Sequence, residues 1–133
     1  MITLEDVLIA ARTVYGEARN QSLVGKKAVV HVLVNRVNKK LMDADHTIAA
    51  TCLRRAQFSC WNEDDPNRLI LLTADLDDKV FRNCMKCALE AIDEEDFTSG
   101  ATHYHTKSVL PKWAVGHKPC FTEGDHLFYN DVA

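Results

Sequence analysis

Ser22-Leu-Val-Gly-Lys-Lys-Ala-Val-Val-His-Val-Leu-Val-Asn-Arg-Val37 is the stretch whose reading settles the fold class. Its aliphatic residues are Leu23, Val24, Ala28, Val29, Val30, Val32, Leu33, Val34 and Val37. Their β-branched content on its own suits a strand. The run is too long for a strand and contains no turn signal, which favours a buried helix. A helix that is apolar nearly all round belongs at the centre of a core. Asn35 and Arg36 near its end are then unusual polar residues on a core helix, and a scaffold role is the reading that suits them.

Upstream, Leu4, Val7, Leu8, Ala11, Val14 and Tyr15 fall on one helical stripe. Thr3 with Asp6 resembles a capping box. Gly16 interrupts the pattern, so the spacing predicts a helix from about Thr3 to Tyr15, with Glu17 at or just past its end. Downstream, a short helical stretch is expected around Ile48 to Arg55, followed by a segment from Gln57 to Pro66 with loop composition at its end. Val80, Phe81, Cys84, Cys87, Ala88, Ala91 and Ile92 form another stripe, and Asp75, Asp77 and Asp78 suit the positive end of that helix. The last third changes character. Ala101–Thr106 and His126–Tyr129 read as two short strands pairing as an antiparallel ribbon on a helical body. The expected class is α+β, mainly α, with a small antiparallel ribbon near the C-terminus.

The 133 residues point to one domain spanning 1–133. Hydrophobic residues make up 47% and charged residues 26%, a globular balance that excludes a disordered tail, a collagen-like repeat or a coiled-coil rod. With 16 Lys+Arg against 19 Asp+Glu the net charge is -3, a poor basis for binding nucleic acid by counterion release. No apolar run approaches the roughly 18 residues of a membrane span. The opening Met-Ile-Thr-Leu-Glu-Asp lacks the basic region of a secretory signal, so synthesis in the cytoplasm is expected. Five cysteines, an odd number, argue against a complete disulfide framework and for free, mostly buried thiols. Nothing suggests an obligate partner chain, and a monomer is expected.

Among residues that carry chemistry, Glu17 stands out. A carboxylate at a helix C-terminus meets the negative end of the dipole, and partial burial pushes its pKa the same way, toward a proton donor usable near neutral pH. Spacing alone equally suits a solvated Glu paired with Arg19. His103 and His105 on a strand would share a face and suit zinc, with His117, Cys120 and His126 nearby. No HExxH and no repeated CxxC supports that, and structural or cleft-lining histidines are the plainer reading. Phe58, Trp61, Tyr104, Trp113, Phe128 and Tyr129 lie outside the helical stripes. Exposed aromatics of this kind stack on sugar faces; capping a small core is the equal alternative. No cofactor motif is present.

Taken together, Ala11-Arg-Thr-Val-Tyr-Gly-Glu-Ala-Arg19, Gly25-Lys-Lys-Ala28, Val34-Asn35-Arg36-Val37, Gln57-Phe58-Ser59, Ala101-Thr-His-Tyr104, Trp113 and His126-Leu-Phe128-Tyr129 resemble the SleB/CwlJ-type cell wall hydrolases, in that family's order and over nearly the whole chain. The resemblance implies a lysozyme-like, mainly helical fold and cleavage of the β-1,4 bond between N-acetylmuramic acid and N-acetylglucosamine in peptidoglycan. It makes Glu17 the single catalytic acid, without the second carboxylate of most glycosidases. Gln57, Phe58, Ser59, Tyr104, Trp113, His126 and Tyr129 are the matched positions for binding substrate, with neither metal nor cofactor. Either a muramidase or a lytic transglycosylase fits, and the family leans toward the second. The chain departs from the family in Glu123-Gly124-Asp125-His126, where many members have Ile-Gly, and in having no wall-binding repeat or export signal. The last two departures suggest an endolysin-like module that reaches the wall through a holin pore. Cys52 and Cys60 flank the Gln57 loop closely enough to bridge after export. Two other classes stay open: a non-catalytic peptidoglycan-binding module, and a zinc amidase built on His103, His105 and His126.

Overall fold

The computed structural model describes residues 2–39, 46–54 and 58–132, except the Ser59 side chain. Five helices come first: α1 (Leu4–Ala18), α2 (Leu23–Lys39), α3 (Ile48–Leu53), α4 (Asn67–Thr73) and α5 (Lys79–Asp93). Three strands follow: β1 (His103–Thr106), β2 (Phe121–Glu123) and β3 (His126–Tyr129), with short 3-10 turns at Ser59–Trp61 and Lys112–Ala114. The architecture is mainly α with a small antiparallel sheet near the C-terminus. Among the described residues no helix is long and apolar enough to cross a membrane.

Local chemistry explains where the helices start. Thr3 Oγ1 accepts from Asp6 N–H at 3.2 Å while Asp6 Oδ2 accepts from Thr3 N–H at 3.0 Å, the reciprocal capping box. Asp78 caps α5 by accepting from the Val80 and Phe81 amides at 2.8 and 3.3 Å. α1 and α2 both pack on α5, which turns Phe81, Cys84, Cys87, Ala88 and Ala91 inward. Ala28, Val29, Val30, Val32 and Leu33 of α2 are wholly buried and form the middle of the core. Leu23 and Val24 in its first turn are exposed, so the apolar girdle is narrower than the sequence suggests.

Gly16 does not end α1. The helix runs on to Ala18, and the glycine serves a contact: a Cβ there would lie 2.7 Å from Leu71 Cδ2 and 2.8 Å from Cys60 Cβ. Glu17 therefore sits inside the last turn rather than past it. The third helix stops at Leu53, and Arg55 lies outside the described residues. Two elements go beyond the sequence reading. α4 turns only Leu71 fully inward and leaves Leu69, Ile70 and Leu72 exposed, so it has no amphipathic stripe to read. β2 is only three residues long.

The ribbon of Ala101–Thr106 and His126–Tyr129 is present and has a third strand, in the order β1-β3-β2. Register pairs His103 with Tyr129, Tyr104 with Phe128 and Thr106 with His126. Paired residues share a face, so Tyr104, Thr106, His126 and Phe128 lie on one side, and His103, His105 and Tyr129 on the other. The two polar residues of α2 tie this sheet to the helices. Asn35 Nδ2 donates to the Ala101 carbonyl at 2.8 Å, and Arg36 Nε donates to the Thr102 carbonyl at 2.7 Å. Their scaffold role is to hold the start of β1 against α2.

Candidate active site

The last turn of α1, the inner side of α2 and the edge strand β1 enclose a cleft of about 430 Å³. Glu17 reaches it from α1, Val32 and Arg36 from α2, Tyr104 from β1, His126 from β3 and Trp113 from the second 3-10 turn. Among the described residues that line it, Glu17 is the one carboxylate.

Tyr104 Oη donates to Glu17 Oε1 at 3.2 Å. Burial, then the Glu17 charge, push the phenol far above its ordinary pKa, so it stays a donor. The Glu17 pKa is raised. Burial is the largest cause, and the negative charge of Asp65 adds to it; the Tyr104 hydrogen bond opposes both by favouring the carboxylate. The carbonyl end of α1 adds negative potential at the same place. Arg19 does not neutralise this carboxylate. Its guanidinium donates to the Tyr15 carbonyl at 3.0 Å and to Asn67 Oδ1 at 2.9 Å. Glu17 is thus a half-buried acid with a fixed orientation and a strengthened hold on its proton.

The other expected site residues divide. Gln57 and the Ser59 side chain lie outside the described residues. Phe58 is not an exposed platform. It is 3% exposed, with its ring 6.3 Å from that of Tyr104 and the Arg36 guanidinium 5.8 Å above it, so it forms the back wall of the cleft. Trp113 is half-buried and rests on His103 and His105, with ring centroids at 5.2 and 5.6 Å. Tyr129 is buried and does not line the cleft, although its sheet-face neighbours His103 and His105 do. His105 Nδ1–H donates to the Thr106 carbonyl at 2.7 Å, so its Nε2 accepts from Tyr129 Oη at 2.8 Å. Tyr129 therefore braces β1. Phe128 is core, and Trp61 donates through Nε1 to Thr13 Oγ1 at 2.8 Å. Of the six aromatics, Phe58, Phe128 and Tyr129 are buried and follow the core-capping alternative: Phe128 packs in the core, Phe58 walls the cleft from behind, and Tyr129 lies on the opposite sheet face from Phe128.

His126 does line the cleft, with its ring edge-on to Tyr104 at 5.2 Å. Burial holds it and His103 toward the neutral form, with His103 pushed down to about 4. The zinc arrangement does not assemble: register puts His126 on the opposite sheet face from His103 and His105, and His105 has both nitrogens engaged. Among the described residues no group of three His, Cys, Asp or Glu is placed to hold a metal ion. Cys52 and Cys60 are free buried thiols, not a bridge. Sequence reasoning passed over Thr102, Val109, Pro111 and the cleft-facing side of Arg36. For Arg36 the signal was available, since a cation on an otherwise apolar helix needs a reason to be there.

Fold and cleft together define a lysozyme-like domain whose cleft has one carboxylate among its described lining residues. The profile of the Cell Wall Hydrolase family matches residues 20–129, and the chain belongs to that family. Glu17 lies just ahead of the matched segment, so its place in the site rests on the geometry. The chain is similar to the catalytic domain of the Bacillus cereus SleB protein, with 25% identity and a TM-score of 0.76 over 97% of this chain and 92% of that one. It is also similar to the catalytic domain of the germination-specific lytic transglycosylase SleB from Bacillus anthracis, with 25% identity and a TM-score of 0.75 over 96% and 95%. A spore cortex-lytic enzyme of Halalkalibacterium halodurans is 25% identical over 126 residues; these are 94% of this chain and 34% of that protein, so the chain spans about a third of that relative's length.

Proposed function

We propose that this protein cuts the glycan strands of peptidoglycan at the β-1,4 bond between N-acetylmuramic acid and N-acetylglucosamine, with Glu17 as acid and then base. The observation that carries this reading is a carboxylate in the cleft, alone among the described residues that line it, half-buried, raised in pKa and held by Tyr104. Protonated Glu17 donates to the glycosidic oxygen as the C1–O bond breaks, and the oxocarbenium-like centre forms on the muramic ring. The ring's own N-acetyl oxygen supplies the stabilisation that a second carboxylate supplies elsewhere. Glu17, now ionised, takes a proton either from the muramic 6-hydroxyl, whose oxygen closes on C1 to give a 1,6-anhydro end, or from a water, whose oxygen adds to C1 to give a reducing end. The solved SleB neighbour described as a lytic transglycosylase favours the first route for this chain.

Glu17→Gln keeps the shape of the side chain and removes its proton. The expected result is a fold intact by circular dichroism and a loss of about 10³-fold or more in clearing of purified sacculi. Normal lysis by this variant would overturn the reading. Sedimentation of the unsubstituted protein with sacculi, without release of soluble fragments, would show a binding module instead. Mass spectrometry of the digest separates the two routes, because anhydro and reducing ends differ by one water. The bacterial wall is the place of action we propose, in an endolysin-like role and as a monomer. Co-expression with and without a holin, and sedimentation equilibrium, test these two points.

A further inference from the structure

A second cavity, of about 850 Å³, is lined from the end of α3, from the Ser59–Trp61 turn with the residues after it, and from α4. It is fastened to the helix that carries Glu17. Trp61 Nε1 donates to Thr13 Oγ1 at 2.8 Å, and Thr13 lies one turn before Glu17 on the same face of α1, about 6 Å along the axis. Arg19, two residues past the acid, donates to Asn67 Oδ1 at 2.9 Å at the start of α4. The Trp61 amide donates at 3.1 Å to the carbonyl of Phe58, the back wall of the cleft. Charge also reaches across. After burial, the charges of Arg36 and Arg54 lower His103 in the cleft, and besides burial the charge of Asp65 raises Glu17. Cavity and cleft are neighbours.

The lining of this cavity carries both signs of charge. Arg54 and Arg68 supply cations, and Glu63 and Asp64 supply carboxylates. Arg68, Glu63 and Asp64 are exposed, and among the described residues they form no ion pair with one another or with any other side chain. Trp61 spends its polar edge on Thr13 and leaves its apolar ring to the cavity. Neutral sugar units have nothing to match such a set of charges. A short peptide does: the stem that branches from the lactyl group of N-acetylmuramic acid has carboxylates along its length and at its end, and a free amine where it is not crosslinked. Arginine pairs with carboxylates through two parallel N–H donors, and carboxylates take an ammonium in return.

We propose that this cavity binds the peptide stem of the polymer whose glycan lies in the cleft, with Arg68 and Arg54 facing its carboxylates and Glu63 and Asp64 its free amine. The inference rests on the reading of Glu17 given above and adds a specificity site to it. One bound strand then meets the protein twice, through its sugars at the acid and through its side branch beyond Trp61.

The experiment uses Glu17→Gln protein and one tetrasaccharide of alternating N-acetylglucosamine and N-acetylmuramic acid in two forms, with its peptide stems and stripped of them by an amidase. Calorimetric titration should find the stem-bearing form bound about tenfold more tightly, as a few charge-assisted contacts provide, with the preference shrinking in concentrated salt. Adding Arg68→Glu should abolish the preference, both forms then binding with the Kd of the stripped one, while Arg68→Lys, which keeps the charge, should retain most of it. Equal Kd values for the two forms with Arg68 in place would overturn the proposal. An Arg68→Glu change that weakens both forms alike would also overturn it and make the cavity a further sugar site. Lysis of sacculi by Glu17→Gln would bring down the catalytic reading; an inactive Glu17→Gln that binds both forms equally would bring down only this one.

Discussion

Tyr104 and Glu17 meet across 3.2 Å, hydroxyl to carboxylate, and join the edge strand of the sheet to the last turn of the first helix. The bond favours the ionised acid, so it offsets part of what burial does to Glu17. Removing it in Tyr104→Phe should raise the Glu17 pKa further. In the proposed role the acid acts when protonated, so the alkaline limb of the pH–rate profile should move to higher pH while the maximal rate falls about tenfold through lost orientation. A pH–rate profile on sacculi checks this, and an alkaline limb displaced to lower pH would contradict it.

The same burial sets a stability prediction. The folded protein binds the Glu17 proton more tightly than the unfolded chain, whose value is near 4.5. The stability tied to that proton is therefore complete below pH 4.5 and is lost as pH rises through the raised folded value. At neutral pH the native state carries a half-buried carboxylate that Gln does not. Glu17→Gln should melt higher than the parent protein at pH 7, and the difference should vanish below pH 4. Differential scanning calorimetry at the two pH values measures it.

Gly16→Ala tests the close approach behind the acid. A helix-interior Gly→Ala exchange ordinarily gains up to about 1 kcal/mol. Here the new methyl would press on Leu71 and on Cys60, whose Sγ would lie 2.9 Å away. Overpacking of this kind costs about 1–3 kcal/mol, so the net change should be destabilising, and the displaced last turn should lower activity as well. Urea denaturation and sacculus clearing give the two numbers.

Thiol chemistry should be quiet. Burial pushes Cys52 and Cys84 up to about 12 and raises Cys60 and Cys87 as well. Cys120 is partly exposed but is also raised, and its Sγ donates to the Thr98 carbonyl at 3.2 Å. In the native state at pH 8 a disulfide-exchange reagent should react slowly, first at Cys120, and all five thiols should appear on unfolding. Lysis should be indifferent to reductant.

Much of this was legible where one physical cause dominates. The α5 stripe, the Thr3–Asp6 box and the aliphatic run of α2 each have a single explanation, burial or capping, and each appears where periodicity puts it. Gly16 was misread because a glycine that permits contact and one that ends a helix look alike in sequence. For Phe58 and Tyr129 the choice between exposed platform and core cap stayed open in the sequence, because burial depends on tertiary packing that no local pattern specifies. The pairing of Glu17 with Tyr104 joins residues 87 positions apart, and nothing in the spacing could have given it.

Glu17 and Tyr104 are 87 residues apart in the chain. The acid belongs to the first described helix and its phenolic partner to a strand whose only neighbour in the described sheet is β3, the last described element in chain order. A chain in which β1 has not paired with β3 therefore holds an unoriented acid. Whatever unseats the small sheet also unfastens the acid, which ties the proposed chemistry to the integrity of the part of the fold with the fewest residues.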